Sequence, residues 1–393
     1  MFRLLCLVLS LVALYAAAAS VSVRDVYDGT LDLQTQVETF RNIDKLFPSR
    51  TVAHGNAYPL AAAPRTLDKL SFASLGRAVT LDEYLERNRV AAVLVLKDGK
   101  IALERYRFGN TRQTRWVSWS IAKSVTSTLL GAAIKDGLVR SLDDPVTRYV
   151  PQLAGGAYDG VSIRNVLQMA SGVRWNEAYT DPSSDRRKML DTQIEQRPGA
   201  VLDFMRTLRR AAPPGKLWNY STGETHVLGA VVSAAAKRPL SQYLAEKLWT
   251  RFGMESDATW WLDAPNGLEV GGSGFSATLR DYGRFALFVL SGGKAAGQQI
   301  VPPDWFPDAG QPKRVGDGVV NYGYMWWGAG NASDPIGRRP FMAVGIFGQF
   351  VYIDPAHNTA IVLWSARPKP TGSPAIDDHD FFKAATTSLA SRP

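Results

Sequence analysis

The chain has 393 residues, 46% hydrophobic and 21% charged, a balance that excludes disordered and fibrous classes and fits a folded globular protein. Its formal charge is +9, but the basic residues are scattered or sit in short clusters such as 206–210 and 185–188. No stripe of the kind that tracks nucleic acid is present. The only cysteine, Cys6, lies near the start, so the chain beyond it has neither disulfides nor cysteine-ligated metals.

Residues 1–20, MFRLLCLVLSLVALYAAAAS, place an arginine ahead of an apolar run that ends in small residues. This is the pattern of a secretory signal, with an uncleaved membrane anchor as the alternative. We therefore expect a secreted or periplasmic protein, or one tethered with its main body outside. Residues 21–65 are weakly patterned and read as an arm. Residues 91–106 hold two strand-like runs around Asp98-Gly99, a hairpin signal. A helix is expected over 121–138, with Val125, Leu129, Ala132, Ala133 and Leu138 at helical spacing. Residues 141–276 are rich in helical patterns. A further helix is expected over 277–293, ended by Gly292-Gly293. Two strands flank the turn 354–358, and 378–391 reads as a closing helix.

Strands near both ends with helices between predict an α+β fold: one antiparallel sheet built from the two chain ends, flanked by helices, with an inserted all-α domain. The boundaries expected are 66–140 and 277–393 for the α/β part and 141–276 for the helical part. The cleft between them is the natural site.

The stretch Ser-Trp-Ser-Ile-Ala-Lys-Ser, 118–124, opens the helix expected at 121–138. A serine hydroxyl needs a base within reach, and side chains three apart share a helix face, so Lys123 can meet Ser120. Burial and the positive end of the helix both favour a neutral amine. The free Ser120 N–H in the first turn can serve as an oxyanion donor. The motif is weak alone, since about one Ser-x-x-Lys is expected by chance in a chain of this length. The second copy, Ser291–Lys294, carries two glycines that end a helix. The alternatives are an N-cap role for Ser120 and a solvent-facing Lys123. No Gly-x-Ser-x-Gly elbow is present, and His54, His226, His357 and His379 show no acidic partner at an obvious spacing. Nothing calls for a metal or cofactor. Tyr220, after the turn Pro213-Pro214-Gly215, is a candidate second proton carrier, and nearby Lys123 is expected to push its phenol towards phenolate.

These motifs, taken in order with 166–173, 213–221, 271–293 and 341–355, resemble the serine beta-lactamase-like hydrolases, and within them the 6-aminohexanoate-dimer hydrolases and carboxylesterase-like relatives. The resemblance implies an acylated Ser120, Lys123 as its base, Tyr220 as proton shuttle, and backbone oxyanion donors at Ser120 and Ala343. It implies a substrate contact from Tyr179. Trp326, Gly345, Phe347 and Gln349 are expected at the substrate as well, with Trp218, Trp327 and Phe341 as further candidates for the walls; plain core packing is the alternative for these five aromatic residues and is expected of at least half of them. Glu177, Asp181 and Asp185 crowd the Tyr179 loop, where they either attract an amine or form a solvated surface. Two departures matter. The Tyr-x-Asn pattern reads Tyr220-Ser221-Thr222, and Pro340-Phe341-Met342 stands near the place of Lys-Thr-Gly, so lactams and peptide carboxylates are disfavoured. The expected partner is a small amide or ester, without nucleic acid or membrane beyond the possible anchor, acting as monomer or homodimer. D-alanyl-D-alanine carboxypeptidase, beta-lactamase and a non-turnover sensor remain alternatives.

Overall fold

The computed structural model describes residues 21–331 and 333–390, so the leader expected at 1–20 lies outside the described residues. Among the described residues no helix is long and apolar enough to cross a membrane.

The main sheet has six antiparallel strands: β1 (Val90–Lys97), β2 (Lys100–Tyr106), β3 (Trp327–Gly328), β4 (Phe341–Gly345), β5 (Gln349–Asp354) and β6 (Thr359–Ser365), in the order β3-β4-β5-β6-β1-β2. Asp98 and Gly99 close the β1–β2 hairpin with φ of 51° and 76°. Two successive positive φ values suit the right-handed twist of the strands, and Asp-Gly tolerates them. Leu94 pairs with Val362, which joins the two ends of the chain at the sheet centre.

β1 and β6 are buried on both faces, so they read as continuous apolar runs. Alternation divides their side chains. Ala92, Leu94 and Leu96 join the large core with helix Leu279–Leu290, while Val93 and Val95 join Phe381, Phe382 and Tyr84 on the other face. The sheet is thus covered on both sides, and the closing helix Asp378–Ala390 supplies the outer layer.

Helix Ile121–Lys135 lies between this sheet and the helical region, packed against helix Thr222–Ala236. It stops three residues short of the expected end: Gly137 takes φ 74° and Leu138 is exposed. Leu138 N–H then returns to Ala133 O, so local hydrogen bonding, not the apolar spacing, ends the helix. The helix expected over 277–293 spans Leu279–Leu290, because Phe275–Thr278 form a strand.

The arm expected at 21–65 is more ordered than its pattern suggested. It holds helices Val23–Asp28 and Leu33–Arg41 and the strand Ser49–Val52. That strand joins a second sheet with Ala258–Trp261, Phe275–Thr278 and Arg115–Val117. The segment just ahead of Ser120 is therefore fixed by strands from the arm and from the far side of the helical insert.

Candidate active site

Arg115–Val117 delivers the chain into the site, and Ser118 N–H holds Phe275 O at 2.8 Å. Trp119 then adopts φ 50°, a left-handed conformation that is strained for a bulky residue. It is fully buried against the rings of Tyr27, Phe40, Trp261 and Phe347. Ser120 follows at φ −72° and ψ −5° and makes no side-chain cap bond, so the N-cap alternative does not hold and its hydroxyl is free for other contacts.

Lys123 is buried, with Nζ 2.9 Å from Ser120 Oγ, 2.9 Å from Thr222 Oγ1 and 3.0 Å from Gly272 O. Burial lowers its pKa to about 7; Glu177 raises it and Arg186 lowers it further. An amine of that kind is neutral in part at neutral pH and can accept a proton.

Tyr220 sits above this pair, with Lys123 Nζ 5.1 Å from its ring centroid. The loop is held by Gly215 at φ 79° and by Asn219 N–H on Met169 O at 2.8 Å, and Ser221 caps the next helix by accepting from Glu224 N–H. The phenol is not pushed towards phenolate. Burial first, then the Glu177 charge, drive its pKa up, and Ser120 and Arg186 offset only part of this. Tyr220 is therefore a phenol at neutral pH.

Ser120 and Tyr220 open on a cavity of about 720 Å³. One wall is the loop from Glu177 to Thr180 with Tyr179; the other is Val344, Gly345, Ile346 and Trp327. It continues over Phe350 to Arg367, Asp377 and His379. Tyr179 and Gly345 are thus brought to the cavity. Trp326, Phe347 and Gln349 are not. Trp326 is buried against Phe285, Phe306 and Phe341, and Phe341 belongs to that same packing. Phe347 turns inward onto Phe40 and Trp119. Gln349 is spent inside the fold, accepting from Trp116 Nε1 at 2.9 Å and donating to Ser365 O at 2.8 Å. Alternation along the strand and the hairpin placed these side chains on the wrong face of the reading; Trp327, one residue on from Trp326, faces the cavity. Trp218 packs behind it, against Trp327 and Tyr322.

Ala343 does not offer a free N–H. Ala329 N–H donates to Pro340 O at 2.9 Å, so even-numbered residues turn their backbone groups to the β3 side. Ala343, opposite Val351, turns its own into the β4–β5 ladder. Beyond the short β3, the open edge belongs to Val344 and, one step on, Ile346, and both line the cavity.

The roles of four residues escaped the sequence reading. Thr222 and the Gly272 carbonyl hold Lys123. Glu177, half-buried on the cavity wall, is committed to Thr222: it accepts from Thr222 Oγ1 at 2.5 Å and from Thr222 N–H at 2.9 Å. Asp181 and Asp185 instead accept from Ser183 and Asn176 within the loop. Arg367 brings a cation to the wall, tied by Asp378 at 2.6 Å. His54 and His357 do face carboxylates, Asp257 at 2.6 Å and Asp354 at 2.9 Å, but neither lines the cavity. His226 faces Asp263 at 4.0 Å in the interior. Only the position of Thr222, where Asn was missing, was a usable signal. Ser291 and Lys294 form a turn, with Ser291 Oγ bonded to Phe288 O.

The fold and this site define a beta-lactamase/transpeptidase-like hydrolase, with the candidate serine and lysine at the junction of sheet and helical region. The chain belongs to the beta-lactamase family, whose family model matches residues 80–385. It is 30% identical over 348 residues to the 6-aminohexanoate-dimer hydrolase of Paenarthrobacter ureafaciens, covering 84% of this chain and 85% of the relative. Among solved structures, a candidate 6-aminohexanoate-dimer hydrolase from Bacillus anthracis matches with a TM-score of 0.78 at 21% identity, over 90% of this chain and 93% of that one. A family VIII carboxylesterase matches with a TM-score of 0.58 at 15% identity, over 76% of this chain and 92% of that one.

Proposed function

We propose that this protein hydrolyses a linear amide of the 6-aminohexanoate-dimer kind through an acyl-enzyme on Ser120. The observation that carries the reading is the buried, partly neutral Lys123 amine 2.9 Å from Ser120 Oγ. Lys123 takes the hydroxyl proton as Oγ forms a bond to the substrate carbonyl carbon. The Ser120 N–H and one N–H of the open edge at Val344–Ile346 stabilise the oxyanion. Collapse breaks the bond to the leaving amine, which receives a proton from the Tyr220 phenol; Lys123 returns one to Tyr220. Water then repeats the sequence and releases the acid. Ester cleavage is a second reading, favoured by the apolar Trp327, Val344, Ile346 and Phe350 along the cavity. The apolar leader ending in small residues supports export of the enzyme.

The test is Ser120→Ala assayed on 6-aminohexanoate dimer, a short-chain nitrophenyl ester and a chromogenic lactam. Wild-type protein is expected to turn over the dimer or the ester many times and to leave the lactam largely intact. The variant is expected to lose all turnover with an unchanged circular dichroism spectrum. Undiminished hydrolysis by the variant overturns the mechanism, and a single-equivalent burst from the wild type makes the protein a sensor instead.

A further inference from the structure

Lys123 has three neighbours, and their chemistry decides where its lone pair points. A neutral amine has two N–H donors and one lone pair. Gly272 O can only accept, so it takes one N–H. Thr222 Oγ1 can accept or donate, and Ser120 Oγ can do either as well. If Thr222 donates to Nζ, the lone pair is occupied and Ser120 has no base. If Thr222 accepts, the lone pair is left for the Ser120 proton.

The choice is made one residue further out. Glu177 Oε1 lies 2.5 Å from Thr222 Oγ1, and a carboxylate has no proton to offer, so Thr222 must donate to it. Glu177 is itself held, because Oε2 accepts from Thr222 N–H at 2.9 Å and from Trp175 Nε1 at 2.5 Å. We infer that Glu177 is a positioning residue that, through the Thr222 hydroxyl, turns the Lys123 lone pair towards Ser120. This rests on the acyl-enzyme reading above and goes beyond it, since the Asn-to-Thr departure becomes a working substitution.

The other groups facing this chain are Arg186 from helix Asp185–Ile194, Tyr220 beside Lys123, and the phenols of Tyr27, Tyr179 and Tyr322, all of which feel the Glu177 charge except Arg186, which opposes it. Glu177 thus has two separable effects on Lys123: it orients the lone pair and it raises the affinity for a proton.

Glu177→Gln removes both, and the plateau rate and the acidic limb report them separately. Oε2 receives two N–H donors, so the amide oxygen takes that place and the NH₂ faces Thr222 Oγ1. Thr222 then accepts from it, which releases its own proton to turn to Lys123. The readout is the rate at which a fluorophosphonate labels Ser120 as a function of pH, which needs no knowledge of the substrate. Glu177→Gln is expected to label about tenfold or more slowly on the plateau, with the acidic limb moved to lower pH. Thr222→Ser is expected to stay near wild type and Thr222→Val to lose rate as Glu177→Gln does, which guards against loss of fold in any one variant. A wild-type plateau rate in Glu177→Gln, wherever its limb falls, or equal rates for Thr222→Ser and Thr222→Val, overturns the inference. A slower rate with an unmoved limb also overturns it, by reducing Glu177 to loop scaffolding. Continued labelling of the Ser120→Ala variant would instead sink the acyl-enzyme reading.

Discussion

Lys123 and Thr222, 99 residues apart in sequence, share a 2.9 Å hydrogen bond at the base of the cavity. The contact exists because helix Ile121–Lys135 and helix Thr222–Ala236 pack side by side with their N-terminal turns together. The amine is cut off from water there, and its pKa of about 7 follows from that burial.

The first prediction is a pH profile. Below about pH 7 Lys123 holds a proton and cannot take one from Ser120, so kcat/KM is expected to rise with pH through that region. Initial rates on an ester substrate across pH 5 to 9 check this. A flat profile would remove Lys123 as the base.

Tyr220→Phe keeps the ring packing and removes the hydroxyl. Because burial keeps the group a phenol, its part is to donate a proton and receive one back. Loss of a positioned proton carrier is expected to cost roughly 10²–10⁴ in kcat on an amide substrate. The loss should be smaller on a nitrophenyl ester, whose leaving group needs little protonation.

Gly345→Ala tests the register of the cavity wall. An added Cβ would fall 2.4 Å from Ser118 O, a contact of Cβ with main chain that no rotamer relieves. The strand edge must move, and a displacement near 1 Å at the reacting groups can cost about 10²-fold in rate. Both kcat and the unfolding temperature are expected to fall.

Phe40→Ala probes the arm. Phe40 is fully buried against Trp116, Trp119 and Phe347. Truncating such a ring costs roughly 3–5 kcal/mol. Urea unfolding is expected to show that loss, and kcat to fall with it as Trp119 gains room.

The sequence was most legible where one local rule decided the outcome. Asp98-Gly99 announced a hairpin, and the apolar runs of β1 and β6 announced buried strands. Ser120 and Lys123 were legible because three-residue spacing on a helix brings side chains together whatever surrounds them. The walls were not. Trp326 and Trp327 are neighbours of one kind, and only the pairing of Trp327 with Met342 decides which faces the cavity. Ala343 failed for the same reason, as backbone parity along β4 depends on β3 and β5. Glu177 and Arg367 lay beyond reach because each acts through a partner distant in the chain or hidden in a loop, Thr222 and Asp378. The arm was underestimated because its helices are short and its strand has a partner two hundred residues away.

The left-handed Trp119 sets the extent of the smallest chain that should work. A backbone of this kind costs of order 1–3 kcal/mol and lasts only while its surroundings enforce it. Tyr27 and Phe40, two of the four rings that enclose Trp119, come from residues that precede position 80, where the family match begins. A protein trimmed to that match would keep Ser120, Lys123 and Tyr220 and still let Trp119 relax, carrying the neighbouring serine out of line. The arm is thus expected to be needed by the catalytic body, and designs that shorten, fuse or transplant this hydrolase should begin ahead of Val23.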